Sequence, residues 1–335
     1  MRDPSRLARD AALAEHLASA DDQTLASLLS SAAPLQLGVG GRSSRLDVLG
    51  HRVFVKELPL TDLERRPEHR RSTRNLFEVP LWCHYGQGGP GFSAWRELAL
   101  CIATSGWVRA GISSCFPLLH HWRELPAGVG PVSTAAEDTF WDHLPAVRAR
   151  RQAMVDASAR LVLFSEYVPQ DLLGWLGPRL AAGEDEAEAA IALVDAGLAA
   201  GLEQMATRGL GHFDCHFQNI LTDGRQLYFA DYGLALSTGF ELSAAEAEFL
   251  ARHRGYDRAR ASYSYLHCVS TSLLGPGFWW ENLLRYLGAR QPTLPRPIAA
   301  LVERESARGL GYAAFIRRLR EERGPSRREP ARGSG

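Results

Sequence analysis

One stretch in the second half of the chain constrains its fold and chemistry more than any other. Residues 211–221 contain Asp214 and Asn219 in the order H-x-D-x-x-x-x-N. A turn and an apolar strand over residues 226–230 follow, and the sequence Asp-Tyr-Gly at 231–233 ends the series. A loop, a strand and a second turn therefore carry two carboxylates and one amide in a fixed order.

These three side chains are the set that phosphoryl transfer requires. A carboxylate orients the attacking hydroxyl and takes its proton, while an amide oxygen and a second carboxylate hold the Mg²⁺ ions that bridge the phosphates. Asp214 is the candidate catalytic base, and Asn219 and Asp231 are the candidate metal ligands. The alternative is a buried loop whose Asp and Asn only bond the backbone, but the ordered loop, strand and turn favour the catalytic interpretation.

At these residues the chain resembles the protein-kinase-like superfamily, and most closely its aminoglycoside-phosphotransferase branch. His216 occupies the position where eukaryotic protein kinases usually carry Lys, as in the H-x-D-x-H-x-x-N form of the small-molecule kinases. Tyr232 replaces the Phe of D-F-G. The resemblance implies an α+β, bilobal protein-kinase-like fold, with a small, mainly antiparallel β-sheet as N-lobe and a helical C-lobe. It also implies ATP and Mg²⁺ as cofactors in the cleft.

The resemblance and the periodicity together predict how the chain is divided. Residues 1–31 are expected to form an N-terminal helical extension. The N-lobe would span 32–165, with an insertion at 59–91, and the helical C-lobe with the catalytic loop would span 166–323. The Arg/Pro/Gly/Ser-rich tail, 324–335, is expected to be disordered.

Lys56 is the only lysine among 38 basic residues. Arg serves everywhere else, so position 56 is predicted to need a compact ammonium group. It lies on the predicted strand 51–58, which matches the strand lysine that grips nucleotide phosphates in kinases. The preceding Gly-rich turn, an ordinary hairpin in the alternative interpretation, is predicted to hold phosphates through Gly38, Gly40, Gly41 and Ser43.

Two further predictions complete the nucleotide site. A helix capped by Ser93 carries Glu97 as the preferred partner of Lys56, with Glu78 as its rival. The buried strand and extended segment over 161–168 match the kinase hinge, where the backbone of Glu166 and Val168 is predicted to bind adenine.

Composition excludes several classes of protein. The chain of 335 residues has a net charge of zero and no global basic footprint, so no nucleic-acid partner is expected. The sequence contains no run of about eighteen apolar residues, so no membrane span is predicted. Five scattered cysteines do not suggest a disulfide framework, so a reduced, cytoplasmic setting is predicted. A zinc site at His212, Cys215 and His216 lacks a fourth ligand.

The combined prediction is an ATP/Mg-dependent phosphotransferase that moves the γ-phosphate to a hydroxyl of a small molecule. One alternative acceptor is a Ser/Thr side chain of a protein or peptide, as in peptide natural-product modification. The other alternative is a catalytically dead kinase-like scaffold. His212 competes with Asp214 as the base, but the family resemblance implies a structural role for it.

Overall fold

The computed structural model describes residues 4–38, 41–127, 141, 143–275 and 294–323. It is a mixed α/β structure with a five-stranded antiparallel sheet and many helices, which is consistent with a kinase-like fold. The predicted division into two lobes stays a prediction. The sequence also predicts a helix over residues 278–287; that range, Gly40 and the C-terminal tail 324–335 lie outside the described residues.

The five-stranded sheet is built by residues between the N-terminal helices and the hinge segment. Its spatial order is β1-β2-β3-β5-β4, and every neighbouring pair is antiparallel. The strands are β1 (Ala33–Gly38), β2 (Gly41–Val48), β3 (His51–Leu60), β4 (Leu119–Pro126) and β5 (Ala159–Glu166).

Alternation along β3 and β5 gives the sheet two different faces. Val53 and Val55 lie on one face, in a core shared with Leu13, Leu17 and Leu25 of the N-terminal helices α1 (Pro4–Ser19) and α2 (Asp22–Ser30). The opposite face packs on helix α4 (Ala94–Arg109) and includes the even-numbered leucines of β3 and Trp95 of α4. Lys56 shares this second parity, so alternation directs its side chain towards α4.

The rest of the described chain is mainly helical around one large core. Two small sheets frame the catalytic segment: β6, β8 and β9 form one, and β7 and β10 form the other. Their strands are β6 (Gln170–Asp171), β7 (Leu210–Gly211), β8 (Ile220–Thr222), β9 (Leu227–Phe229) and β10 (Leu236–Ser237). The remaining helices are α3 (Asp62–Arg65), α5 (Pro145–Val155), α6 (Leu172–Leu180), α7 (Glu184–Ala206), α8 (Ala244–Arg252), α9 (Tyr256–Leu274) and α10 (Arg296–Arg323).

Helix α7 is the one helix within the described ranges that is long and apolar enough to cross a membrane. This is weak evidence, because core helices of soluble proteins pass the same test. Ile191, Val194 and Leu198 of this helix are buried in the main core. The helix therefore has a packing role in the fold.

Strands β3 and β4 have bounds that differ from the sequence prediction. The sequence also predicts a strand over residues 116–122, whereas β4 spans Leu119–Pro126; it begins after Pro117, because proline has no N–H for the ladder. Strand β3 continues through Leu60, which pairs with Ala159, so the first two residues of the range 59–91 belong to the sheet.

Candidate active site

The candidate catalytic loop, between β7 and β8, brings Asp214 and Asn219 into direct contact. The Asn219 amide Nδ2 donates to the Asp214 carboxylate Oδ2 at 3.0 Å and to the Asp214 carbonyl at 3.1 Å. The loop is closed by hydrogen bonds from Asn219 N to His216 O and from Ala230 N to Asn219 O. The five-residue spacing thus works as a tight turn that fixes the carboxylate against the amide.

A buried scaffold supports this loop from beneath. The Asp257 carboxylate accepts the backbone N–H groups of His212 at 2.8 Å and Phe213 at 2.7 Å. These bonds hold Phe213 at a φ of 63°, a left-handed conformation that disfavours a bulky side chain. Because two hydrogen bonds and a buried ring stabilise it, the strained residue can present the next residue, Asp214, to the cleft.

His212 has no exposed surface and uses both ring nitrogens. Its Nε2 lies 3.0 Å from the carbonyl of Ala230, and its Nδ1 accepts the backbone N–H of Asp214 at 3.3 Å. A histidine engaged in this way cannot also take a proton from a substrate in the cleft. The geometry favours a structural role for His212 over a role as the base.

Lys56 lies between two carboxylates. Its Nζ is 2.6 Å from Oε1 of Glu97 and 3.0 Å from Oδ1 of Asp231. The structure therefore pairs Lys56 with Glu97 of α4, not with Glu78. Helix α4 is positioned for this contact by its N-cap, since the Ser93 hydroxyl accepts the N–H of Trp95.

Desolvation is the largest single influence on the pKa of each of these groups, but hydrogen bonds and neighbouring charges together outweigh it for Lys56, Asp231 and Asp214. Burial would lower the pKa of Lys56, yet Asp231 and Glu97 together raise it, so the ammonium stays charged. Desolvation would raise the pKa of Asp231, but Lys56 holds it below the usual value. Burial alone would raise the pKa of Asp214, but His216 and Arg260 together bring it below its usual value. This carboxylate is therefore also ionised at neutral pH.

Two oxygens in the cleft fit a hard cation. Asn219 donates both of its assigned bonds through Nδ2, and Asp231 accepts from Lys56 and Gly233 through Oδ1. Among the described residues Asn219 Oδ1 and Asp231 Oδ2 therefore remain open to a ligand. Mg²⁺ commonly takes one or two protein oxygens and completes its shell with phosphate and water, so the donor set suits it.

The described residues contain no group of three His, Cys, Asp or Glu that could hold a metal alone. His212, Cys215 and His216 therefore do not form the alternative zinc site. A magnesium ion at Asn219 and Asp231 would need the phosphates of a nucleotide as further ligands.

Two adjoining cavities meet at Lys56, Glu97, Asn219 and Asp231. The first, of about 330 Å³, is bounded by Phe54 and Leu163 of the sheet and by the hinge segment 166–168. The second, of about 460 Å³, contains Asp214. We call the first the hinge cavity and the second the catalytic cavity.

The predicted hinge residues line the hinge cavity. The backbone N–H of Glu166 already bonds the carbonyl of Leu118 at 2.7 Å, so only its carbonyl is left for adenine. The Glu166 side chain faces another way and binds Arg6 of α1. Val168 lines the same cavity, and its contact with adenine stays a prediction.

The Gly-rich turn is a hairpin whose strands β1 and β2 pair Gly38 with Gly41. Gly41 and Ser43 line the catalytic cavity, and Ser43 lines the hinge cavity as well. A Cβ at Gly41 would lie 2.3 Å from the carbonyl of Glu57, so close strand packing also requires glycine here. The phosphate contacts of the turn remain predictions.

Sequence reasoning missed three features of the site. The glycine-rich segment 86–91, for which the sequence predicts only a loop within the insertion, forms a wall of the catalytic cavity. A Cβ at Gly86 would lie 3.9 Å from Asp214 Oδ1, and one at Gly91 only 3.1 Å from the Gly233 carbonyl. Arg260 of α9 and Arg6 of α1 are the other two. A glycine-rich hexapeptide was the one signal that could have indicated a close approach of backbone to the site.

Comparison with known proteins adds little to this geometry. No protein-family model and no curated protein matches the chain. A solved structure titled "WaaP in complex with acyl carrier protein" is similar over 85% of this chain and 92% of that chain, with 14% sequence identity and a TM-score of 0.35. A likeness with so low a TM-score carries no weight, and the kinase-like interpretation stands on the fold and the site themselves.

Proposed function

We propose that this chain is an ATP- and Mg²⁺-dependent phosphotransferase that moves the γ-phosphate to a hydroxyl of a small molecule. The observation that carries the proposal is the convergence of Lys56, Glu97, Asp231, Asn219 and Asp214 on one cleft. A purely structural loop would not need an ion-paired lysine, two ionised carboxylates and an open amide oxygen around the same cavity.

The two cavities suggest how ATP would be placed. The apolar hinge cavity suits adenine, and Lys56 at the junction suits the phosphates, held in place by Glu97. Asn219 and Asp231 would hold Mg²⁺, which would offset the charge of the β- and γ-phosphates. The γ-phosphate would then point into the catalytic cavity towards Asp214.

Asp214 would orient the acceptor hydroxyl and receive its proton as the bond between oxygen and phosphorus forms. Its low pKa keeps the carboxylate ionised and able to accept a hydrogen bond from the hydroxyl. The amide of Asn219 holds the carboxylate in one orientation. This division of roles makes Asp214 the base and leaves His212 as the brace between the loop and Ala230.

Two features support a small-molecule acceptor. His216 replaces the lysine usual in protein kinases, and no A-P-E sequence follows Gly233. A Ser/Thr side chain of a peptide is the alternative acceptor that the screen described below would reveal.

The cellular setting that we propose is reduced and cytoplasmic. All five cysteines are free thiols, which supports it.

The test is a transfer assay with γ-labelled ATP and Mg²⁺ across aminoglycosides, sugars and Ser/Thr peptides. With whichever acceptor is labelled, Asp214→Asn should lower kcat by about 10²–10⁴ while ATP affinity changes little. Asp185→Asn, on the exposed start of α7, is the matched control and should be unchanged. If Asp214→Asn keeps most of kcat and His212→Ala loses it, the assignment of the base is wrong. If the wild-type chain labels no acceptor and binds no ATP, the proposed function is wrong.

A further inference from the structure

Arg260 has a place in the catalytic cavity that the nucleotide chemistry does not explain. It lies on helix α9, and its Nη2 is 4.0 Å from Oδ1 of Asp214. That distance is too long for a hydrogen bond, although it is close enough for the two charges to attract. The cation therefore stands beside the candidate base without being neutralised by direct contact.

Aromatic rings hold this guanidinium in position. Its Cζ lies 5.3 Å from the centroid of the Tyr312 ring and 5.8 Å from that of Tyr263. The side chain is only 19% exposed, and within the described part of the chain its guanidinium donates no hydrogen bond. Arginine has five N–H donors in a rigid fork that matches carboxylate and phosphate oxygens. A cation fixed by ring faces, with its donors unused, is prearranged for an anionic ligand.

The other cations of the cavity already have carboxylate partners. Lys56 is paired with Glu97 and Asp231, and Arg150 is paired with Glu64 at 2.8 Å. The acidic residues that line the cavity in the described ranges are Glu97, Asp214 and Asp231, and each has a part in the proposed chemistry. The described lining of the catalytic cavity therefore has no further carboxylate that could bind a polycationic acceptor. Arg260, in contrast, can bind an anion there.

We propose that the acceptor carries an anionic group, a carboxylate or a phosphate, close to the hydroxyl that is phosphorylated, and that Arg260 binds this group. The inference rests on the proposed function and adds the chemical class of its substrate. A hydroxyl bonded to Oδ1 of Asp214 and an anion bonded to Nη2 of Arg260 lie no more than about 10 Å apart, given normal hydrogen-bond lengths. The anionic group and the reacting hydroxyl therefore belong to the same part of the acceptor.

Calorimetry on the full chain tests this. The protein is saturated with Mg²⁺ and a non-hydrolysable ATP analogue, and is then titrated with glycerol 3-phosphate, glycerate or glycerol. The first two probes distinguish phosphate from carboxylate, and glycerol lacks either charge. Affinity of the analogue is measured for every variant, so that loss of nucleotide binding is seen separately from loss of acceptor binding.

We expect at least one anionic probe to bind about tenfold more tightly than glycerol, because hydrogen bonds to a charged partner are the strong ones. Arg260→Gln should remove that preference and leave analogue affinity within about twofold, whereas Arg260→Lys should retain part of it. The control is Arg179→Gln, since Arg179 also stacks on an aromatic ring, Trp175, but does not line either cavity.

Three results would overturn the inference alone: analogue binding without any preference for anionic probes, no measurable binding of either anionic probe at millimolar concentration, or a preference that survives Arg260→Gln. A tenfold loss of analogue affinity in Arg260→Gln would instead assign Arg260 to the γ-phosphate, which also contradicts it. Failure of the wild-type chain to bind the analogue would overturn the proposed function, and this inference with it.

Discussion

A buried ion pair between Arg6 and Glu166 connects the N-terminal helix α1 to the hinge segment. Removal of this ion pair has a specific, measurable consequence. Arg6 donates to both oxygens of Glu166, at 2.7 to 3.1 Å, and to the carbonyl of Phe116 at 2.6 Å. The two side chains are only 6% and 10% exposed. Arg9 also reaches Glu166, but at 3.4 Å and with 38% of its side chain exposed.

These geometries predict very different costs for two substitutions in one helix. Arg6→Ala leaves Glu166 buried without its main partner, which typically costs about 3–5 kcal/mol. Arg9→Ala removes a long, partly solvated contact, which is worth about 0–1 kcal/mol. Because Glu166 ends strand β5 at the hinge cavity, Arg6→Ala should also weaken ATP binding.

Urea denaturation followed by circular dichroism measures both free energies of unfolding, with Arg9→Ala as the matched control. Glu166→Ala combined with Arg6→Ala should lose less stability than the sum of the single variants, since neither charge is then left unpaired. Equal, small losses for Arg6→Ala and Arg9→Ala would refute the claim that this pair fastens the helix to the hinge.

Two other predictions concern stability. In Gly201→Ala the new Cβ would lie 1.9 Å from Cε2 of Phe229, so thermal denaturation should show a loss of about 1–3 kcal/mol, whereas Gly311→Ala, whose Cβ meets nothing within 4 Å, should be neutral or stabilising; equal effects would contradict the packing described. Burial lowers the pKa of His84 to about 3, although its Nδ1 bonds the Leu234 carbonyl. The unfolded chain therefore takes up this proton near pH 6.5 and the folded chain near 3, so stability present above pH 6.5 is lost as the pH falls between these values, by about 1.4 kcal/mol per unit. His84→Gln should flatten this part of the stability curve measured by urea titrations, and an unchanged slope would show that His84 is not the group responsible.

Local signals in the sequence predict several elements of the fold and several contacts within the candidate site. Alternation along β3 places Lys56 on the face that packs against α4, and Ser93 starts α4 as its N-cap. The Asp214-to-Asn219 spacing encodes its own turn, because the hydrogen bonds that close it lie within the same few residues. Such features depend on neighbours in the sequence and can be read from it.

The missed residues act through contacts that no local pattern encodes. Arg6 and Glu166 are 160 residues apart, and Arg260 lies near Asp214 only because α9 packs beside the loop that carries it. Because every Lys or Arg position except 56 is Arg, the residue type does not indicate which arginines lie at the candidate site. The sequence of segment 86–91 indicates only a loop. Its contribution to the site depends on how closely its glycines approach Asp214 and Gly233, and this distance is not encoded by a local pattern.

The most direct test of the central claim is calorimetry of ATP binding with and without Mg²⁺. If Asn219 and Asp231 hold a metal that bridges the phosphates, Mg²⁺ should tighten ATP binding about ten- to a hundredfold, the worth of one or two charge-assisted contacts. Asp231→Asn should abolish most of this gain, while the exposed Asp185→Asn should retain it. Tight binding that is indifferent to Mg²⁺, or no binding at all, would contradict a phosphoryl-transfer site in this cleft.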